Sequence, residues 1–143
     1  RATGQPPGSP NPRVPCILRG KGLKSSWAFR QRMATVAVDD FQKIEMRIGR
    51  IVKVEDFPEA RKPSYRLMID FGAMGVKPSS AAVRPWYTKG ELLHRAIVAV
   101  TNFSPRQIGP FMSEVLCLGA VQSDGRVILL EPDREGELGA RIA

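Results

Sequence analysis

Apolar and polar residues alternate in the middle of the chain with the period of a strand that buries one face. Ile44, Met46 and Ile48 are separated by charged residues, so this segment is predicted to form a half-buried strand. Gly49 interrupts the alternation before Ile51 continues it. A glycine inside a strand pattern favours a β-bulge or a sharp bend, and we predict one at Gly49.

Similar patterns predict five more strands, at residues 65–71, 76–82, 96–100, 115–121 and 126–130. A helical turn is predicted at 38–43 with Asp39 as its N-cap, and a second short helix at 86–93. Residues 103–111 are predicted to be a loop, and Asp124-Gly125 a tight turn. Many short strands, with one short helix between the third and fourth, predict an all-β fold. The expected architecture is a small Greek-key barrel of the oligonucleotide-binding (OB) type with short helices.

The first 32 residues differ in composition from the rest. They hold seven of the 22 Lys and Arg residues, five of the 12 prolines and no acidic residue. We predict that residues 1–32 form a disordered basic tail and residues 33–143 one domain. The favoured explanation is that Met33 is the natural start and the tail is upstream or vector-derived sequence. The alternative is a native arm that adds nonspecific affinity for nucleic acid.

The net charge of +8 comes almost wholly from this tail. Residues 33–143 hold 15 basic and 14 acidic residues, so the basic isoelectric point says little about what the domain binds. No apolar run reaches the roughly 18–20 residues that span a bilayer, and no membrane insertion is expected. Cys16 in the tail and Cys117 in an apolar strand make a poor disulfide framework, which favours a reducing, cytoplasmic location.

Residues that could carry catalysis are sparse. His94 is the sole histidine, and the two cysteines offer no zinc-ligand spacing. The carboxylates are scattered, without a pair that could act as general acid and base. We therefore expect a binding module with no catalytic residue, no metal and no cofactor.

Two polar clusters lie on or between the first three predicted strands. Arg61 and Lys62 fall in the connection that borders the binding face of OB folds, so they could contact phosphates. A solvated turn is the equal alternative. Lys77 and Ser79 lie on the third strand and could hydrogen-bond a nucleic-acid backbone or base, although tight packing explains them nearly as well.

A third cluster surrounds the predicted loop at 103–111. It combines an amide, a guanidinium, apolar side chains and a Ser-Glu pair: Asn102, Phe103, Arg106, Phe111, Met112, Ser113 and Glu114. Loops held by a rigid barrel commonly carry binding function. The three large apolar side chains could form a pocket for a peptide, or they could close the end of the barrel as core.

Long collinear motifs resemble a known family. The run DDFQKIEMRIGRIVKVEDFPEARKPSYRLMIDFG resembles the opening of the stand-alone tRNA-binding-domain family, which includes the C-terminal appendage of methionyl-tRNA synthetases. The runs GVKPSSA, NFSPRQIGPFMSEVLCLGA and VILLEPDREGELGARIA are most similar to the CsaA export-related chaperones within that family. The resemblance covers residues 38–143.

The resemblance implies an OB-fold homodimer that has no cofactor or catalytic activity and that binds tRNA by shape or unfolded preproteins during export. It implies binding positions at Lys77, Ser79, Asn102, Arg106, Ser113 and Glu114, and a peptide-binding hollow at Phe103, Phe111 and Met112. The implied dimer contact uses the segments after Met33 and after Leu130. This chain departs from the family at Lys89-Gly90-Glu91-Leu92, where Pro-Glu-Glu-Leu is common. It also departs at the stiff Gly109-Pro110, which leaves the pocket's shape open.

Three functions therefore compete. The first is a chaperone for unfolded preproteins that works with the export machinery. The second is a tRNA-binding factor. The third is a synthetase-associated subunit, which would need a separate partner chain. The near-neutral charge of residues 33–143 slightly favours the chaperone, because phosphate affinity scales with the number of charges neutralised.

Overall fold

A computed structural model describes residues 34–143. The predicted tail at 1–32 and the predicted start at Met33 lie outside the described residues. Val38–Ala143 forms one compact unit. Its helices are α1 (Val38–Gln42) and α2 (Lys89–Leu92), with a 3-10 turn at Gly72–Met74. Its strands are β1 (Met46–Phe57), β2 (Ser64–Asp70), β3 (Val76–Ala81), β4 (Ala96–Val100), β5 (Arg106–Ile108), β6 (Phe111–Ser113), β7 (Leu116–Cys117), β8 (Gly119–Val121) and β9 (Val127–Leu129).

The main sheet has five antiparallel strands in the order β3-β2-β1-β4-β7. The first three strands form a meander and β4 returns to the other side of β1, which is the Greek-key arrangement. Two hairpins, β5-β6 and β8-β9, complete the described strands. The prediction of an all-β OB-type barrel with short helices is confirmed.

Strand β1 is long and bent, and its two halves pair with different neighbouring strands. Met46–Arg50 pairs with β4 and Arg50–Phe57 pairs with β2. The pairing register shifts between Ile51 and Lys53, so the bulge predicted at Gly49 actually lies at Val52. Gly49 itself permits close packing, because a Cβ there would lie 2.5 Å from Cγ2 of Ile69.

The core is formed by the alternating apolar residues of the sheet. Leu67, Ile69 and Phe71 are fully buried, which confirms the predicted inward face of the second strand. Ile51 and Ile97 meet them from the neighbouring strands. Burying a side chain of this size contributes about 1.5–3 kcal/mol, so this cluster fixes the sheet on which the loops stand.

Two predicted elements are wrong in detail. The predicted loop at 103–111 contains strand β5 and begins β6, and Gly109 forms the tight turn between them at φ +57°. The single strand predicted at 115–121 divides at Leu118 into β7 and β8. The amide of Leu118 donates to Val98 while its carbonyl accepts from Leu130, so the chain changes partners at that residue.

The helices also differ from their predicted limits. Asp39 lies inside the first turn of α1, not at its N-cap. Helix α2 begins after Thr88, whose hydroxyl accepts from the amide of Glu91 while the Glu91 carboxylate accepts from the amide of Thr88. This reciprocal capping box satisfies two amides and sets the start of the helix three residues later than predicted.

The end of the chain pairs with the free edge of β1, which the sequence patterns did not indicate. The amide of Gly139 donates to Ile48, and the amide of Ile142 donates to Met46. Arg47 adds a 2.7 Å hydrogen bond from its guanidinium to the carbonyl of Gly139. Gly139 adopts φ +88°, a conformation that glycine accepts without steric strain.

Candidate nucleic-acid interface

A groove lies between the β1–β2 connection and the β5-β6 hairpin. It has a volume of about 660 Å³. A Cβ placed on Gly109 would lie 3.7 Å from Cβ of Glu59, so the hairpin turn packs against the connection at one end. Arg61 and Lys62 line one side of the groove and Arg106 the other. The structure therefore brings together three basic residues from two of the clusters found in the sequence. We call this feature the basic groove.

The three basic residues of the groove are distinguished by their lack of acidic partners. Residues 34–143 carry 15 Lys and Arg side chains. Twelve of these place a nitrogen within 4.0 Å of a carboxylate oxygen. The other three are Arg61, Lys62 and Arg106. Every Lys or Arg in this part of the chain that has no ion pair thus lies in one groove.

One carboxylate borders the groove, and it is already engaged. Glu59 accepts a 3.1 Å hydrogen bond from the guanidinium of Arg66. The guanidinium of Arg66 therefore largely balances the negative charge of Glu59. The positive charges of the three basic residues in the groove remain in excess. An unbalanced positive groove attracts phosphates.

Arg66 also anchors an aromatic cluster beside the groove. Its guanidinium carbon lies 4.6 Å from the ring centre of Phe57 and 5.4 Å from that of Phe111. The two rings meet edge to face at 5.4 Å. Phe57 is buried and Phe111 is partly buried. Arg66 was not among the predicted site residues, because it lies between the buried Tyr65 and Leu67, where the alternation of a half-buried strand predicts an ordinary outward polar residue.

A smaller hollow adjoins the basic groove. It has a volume of about 230 Å³ and is lined in part by Phe103, Ser104 and Glu114. Ser80 and Arg106 border both cavities. We call this second cavity the Phe103 hollow.

The three apolar side chains predicted for a peptide hollow occupy different places. Phe103 is 48% exposed in its own hollow, and Met112 is 46% exposed on β6. Phe111 packs on Phe57 instead. Neither the basic groove nor the Phe103 hollow is lined by all three.

Two of the predicted serines are used inside the fold. Ser79 is fully buried, and its hydroxyl donates to the carbonyl of Val115 at 2.8 Å. Ser113 is also buried, and its hydroxyl accepts from the amide of Ser80 at 3.3 Å. The Ser79 hydroxyl thus joins β3 to the segment after β6, and the Ser113 hydroxyl joins β6 to β3, so both serve the fold.

The remaining predicted residues are exposed or partly exposed. Asn102 donates to the carbonyl of Lys43 and accepts from the amide of Glu45, so its side-chain amide fastens the end of β4 to the start of β1. Lys77 and Glu114 form an ion pair at 3.6 Å beside the Phe103 hollow. Asn102 is therefore a positioning residue, whereas the carboxylate of Glu114 remains 41% exposed.

Metal ligation, membrane spanning and cysteine reactivity can each be checked in the described residues. Among residues 34–143, no group of three or more His, Cys, Asp or Glu side chains could hold a metal ion. In the same range, no helix is both long and apolar enough to cross a membrane. Burial raises the pKa of the Cys117 thiol to about 11, so this cysteine stays protonated and is a poor nucleophile.

Known proteins share both sequence and fold with this chain. Its structure matches that of a CsaA chaperone protein from Picrophilus torridus with 51% identity and a TM-score of 0.72, over 76% of this chain and 100% of that one. It matches chaperone CsaA from Bacillus anthracis with 44% identity and a TM-score of 0.74, over 77% and 100%. It is also 37% identical to methionine–tRNA ligase of Pyrococcus furiosus over 112 residues.

The extent of these matches differs. The matched region covers 78% of this chain but only 15% of the Pyrococcus furiosus ligase, so the ligase's own activity does not carry over. The CsaA proteins are covered over their full length. Residues 46–141 match the family described as "Putative tRNA binding domain". The chain therefore belongs to the tRNA-binding-domain family, with CsaA chaperones among its relatives.

Proposed function

We propose that this chain binds tRNA through the basic groove and catalyses no reaction. The convergence of Arg61, Lys62 and Arg106, without ion pairs, carries this proposal. A cation paired with a carboxylate must release or share that partner to bind a phosphate, whereas an unpartnered cation is free to form the strong charge-assisted hydrogen bond. The family match and the partial match to methionine–tRNA ligases support RNA as the source of the phosphates.

The test is the salt dependence of tRNA binding. Each phosphate neutralised releases counterions and adds about 0.7–0.9 to the slope of log K against log salt. Replacing Arg61, Lys62 and Arg106 together by Ala should therefore reduce the slope by about 2–3. Fluorescence anisotropy with labelled bulk tRNA, between about 50 and 200 mM KCl, measures this slope.

A matched control removes the same charge elsewhere. Lys53, Arg126 and Arg134 are exposed and ion-paired, so replacing them by Ala changes the net charge equally but leaves the groove intact. The control should keep the parent's slope. Equal slopes for the groove variant and the control would show that binding follows net charge only, and would refute the groove.

A second function, the holding of unfolded preproteins for export in the cytoplasm, is supported by the exposed apolar groups near the groove. Phe103 and Met112 are each about half exposed, and a flexible Met suits varied apolar segments. We expect Met112→Ser to weaken suppression of aggregation of a denatured client while leaving stability unchanged. A variant that protects the client as well as the parent does would count against this role.

We further propose that the protein is a homodimer. Helix α1 has no buried residue, and its Val38 and Phe41 are 70% and 42% exposed. A five-residue helix is not stable by itself in water. It borders an apolar hollow of about 640 Å³ completed by Ile142 from the end of the chain. A second copy would cover this surface, consistent with the contact predicted from the two end segments.

Sedimentation tests the dimer at micromolar concentration. Phe41→Ser should convert it to monomer, whereas Trp86→Ser, at a residue with similar exposure outside this hollow, should not. A parent protein that sediments as a monomer would contradict the proposal.

A further inference from the structure

We propose that the Phe103 hollow takes one unpaired base of the bound RNA, with Phe103 stacked on its face and Glu114 accepting from its amino group. This inference rests on the proposed RNA binding and adds to it a contact that distinguishes one base from another. The basic groove alone would bind any phosphate chain of suitable shape.

The size and composition of the hollow fit a base. Its volume of about 230 Å³ admits a single planar ring system. Phe103 supplies an aromatic face that is 48% exposed. Ile108, Val115 and Leu116 add apolar lining, and Ser104 and Glu114 supply polar groups. A nucleobase has the same division into an apolar face and polar edges, and unpaired bases are commonly recognised by aromatic stacking with hydrogen bonds to their edges.

Glu114 favours a base over an apolar peptide side chain. Its carboxylate is 41% exposed, and its charged partner is Lys77 at 3.6 Å, a distance that leaves the carboxylate oxygens able to accept further hydrogen bonds. An apolar side chain in the hollow would cover this carboxylate without giving it a donor, which is costly. An amino group on a base would supply that donor.

The hollow adjoins the basic groove. Arg106 and Ser80 border both cavities. A phosphate held by Arg106 would therefore place the adjoining nucleotide at the mouth of the hollow. Because Arg106 borders both cavities, we expect one RNA strand to bind with its phosphate in the groove and its base in the hollow.

The carboxylate of Glu114 determines which bases the Phe103 hollow should favour. Cytosine, adenine and guanine each present an exocyclic amino group, and Glu accepts from such a group on cytosine in known complexes. Uracil presents one ring N–H between two carbonyl oxygens, which would repel the carboxylate. The hollow should therefore prefer the bases with an amino group to uracil.

The experiment compares short single-stranded homopolymers of cytidine, adenosine and uridine, each about eight nucleotides long, by anisotropy with the full chain. Phe103→Ala should weaken binding of the cytidine and adenosine oligomers about tenfold, because stacking of one base contributes that order of affinity. Phe103→Trp should restore it. Glu114→Gln should equalise the cytidine and uridine oligomers without changing the salt slope. Trp86→Ala, at an exposed aromatic outside both cavities, should behave as the parent.

The outcomes separate this inference from the proposed function. A parent that binds no RNA at any salt concentration overturns both. A parent that binds tRNA through Arg106 but shows no base preference and no loss in Phe103→Ala overturns the base site alone. A Phe103→Ala protein that loses client holding but keeps full RNA affinity would instead assign the hollow to a peptide. Thermal melting confirms that each variant is folded.

Discussion

Phe111 should contribute to stability as half of an aromatic pair rather than as a full core residue. Its ring meets Phe57 edge to face at 5.4 Å and lies 5.4 Å from the Arg66 guanidinium. The ring pair contributes about 0.5–1.5 kcal/mol and the cation–π contact about 0.5–1 kcal/mol. With the partial burial of the ring, Phe111→Ala should lower the free energy of unfolding by about 2–3 kcal/mol, below the 3–5 expected for a fully buried aromatic.

A second substitution distinguishes the aromatic contacts of the Phe111 ring from the volume that the ring fills. Phe111→Leu keeps most of the apolar bulk and removes both aromatic contacts, so it should cost about 1–2.5 kcal/mol. Urea unfolding monitored by circular dichroism measures both values. A Phe111→Ala loss above 4 kcal/mol, or a Phe111→Leu protein as stable as the parent, would refute this account.

Three further changes test the backbone and the core. Gly49→Ala should destabilise by about 1–3 kcal/mol, because its Cβ would lie 2.5 Å from the Ile69 side chain; an unchanged urea midpoint would contradict the close packing. His94→Gly should stabilise by about 1 kcal/mol, since His94 adopts φ +68°, and a lower midpoint would refute this. The fold raises the pKa of Cys117 from 9.0 to about 11, so its stabilising effect is complete below about pH 9 and is lost as pH rises toward 11. Unfolding across that range should show a decline that Cys117→Ala lacks, and parallel curves would contradict it.

Local patterns predicted the sheet well because each strand carries its own period. The alternation of Leu67, Ile69 and Phe71 determines which face of β2 is buried, and no distant contact is needed to infer it. The position of the bulge could not be inferred in this way. Glycine at position 49 looked like the bulge because both a bulge and a close packing contact favour a residue without a Cβ. A bulge and a close packing contact differ only in what lies opposite the glycine, and the sequence does not show this.

The sequence indicated which residues lie near the candidate site better than it indicated what each of them does there. Arg61, Lys62 and Arg106 were proposed from two separate clusters, and the fold brings them to one groove. Ser79 looked equally suitable, since a hydroxyl beside a lysine is a common phosphate ligand. Its position at an inward place on β3 instead directs the hydroxyl to the carbonyl of Val115. A polar side chain on an inward strand position is more often a core hydrogen bond than a ligand.

The near neutrality of residues 33–143 suggested weak affinity for RNA, and the structure changes that inference. Four acidic residues of 34–143 have no ion pair. Asp70 accepts from the amide of Gly72 and Glu91 from the amide of Thr88, and Asp39 and Glu137 do not line the groove. Most basic residues are matched by a carboxylate nearby, so their fields largely cancel beyond a Debye length. The bases that remain lie together in the basic groove. A phosphate chain responds to this local excess rather than to the net charge, so a nearly neutral domain can present one strongly positive surface.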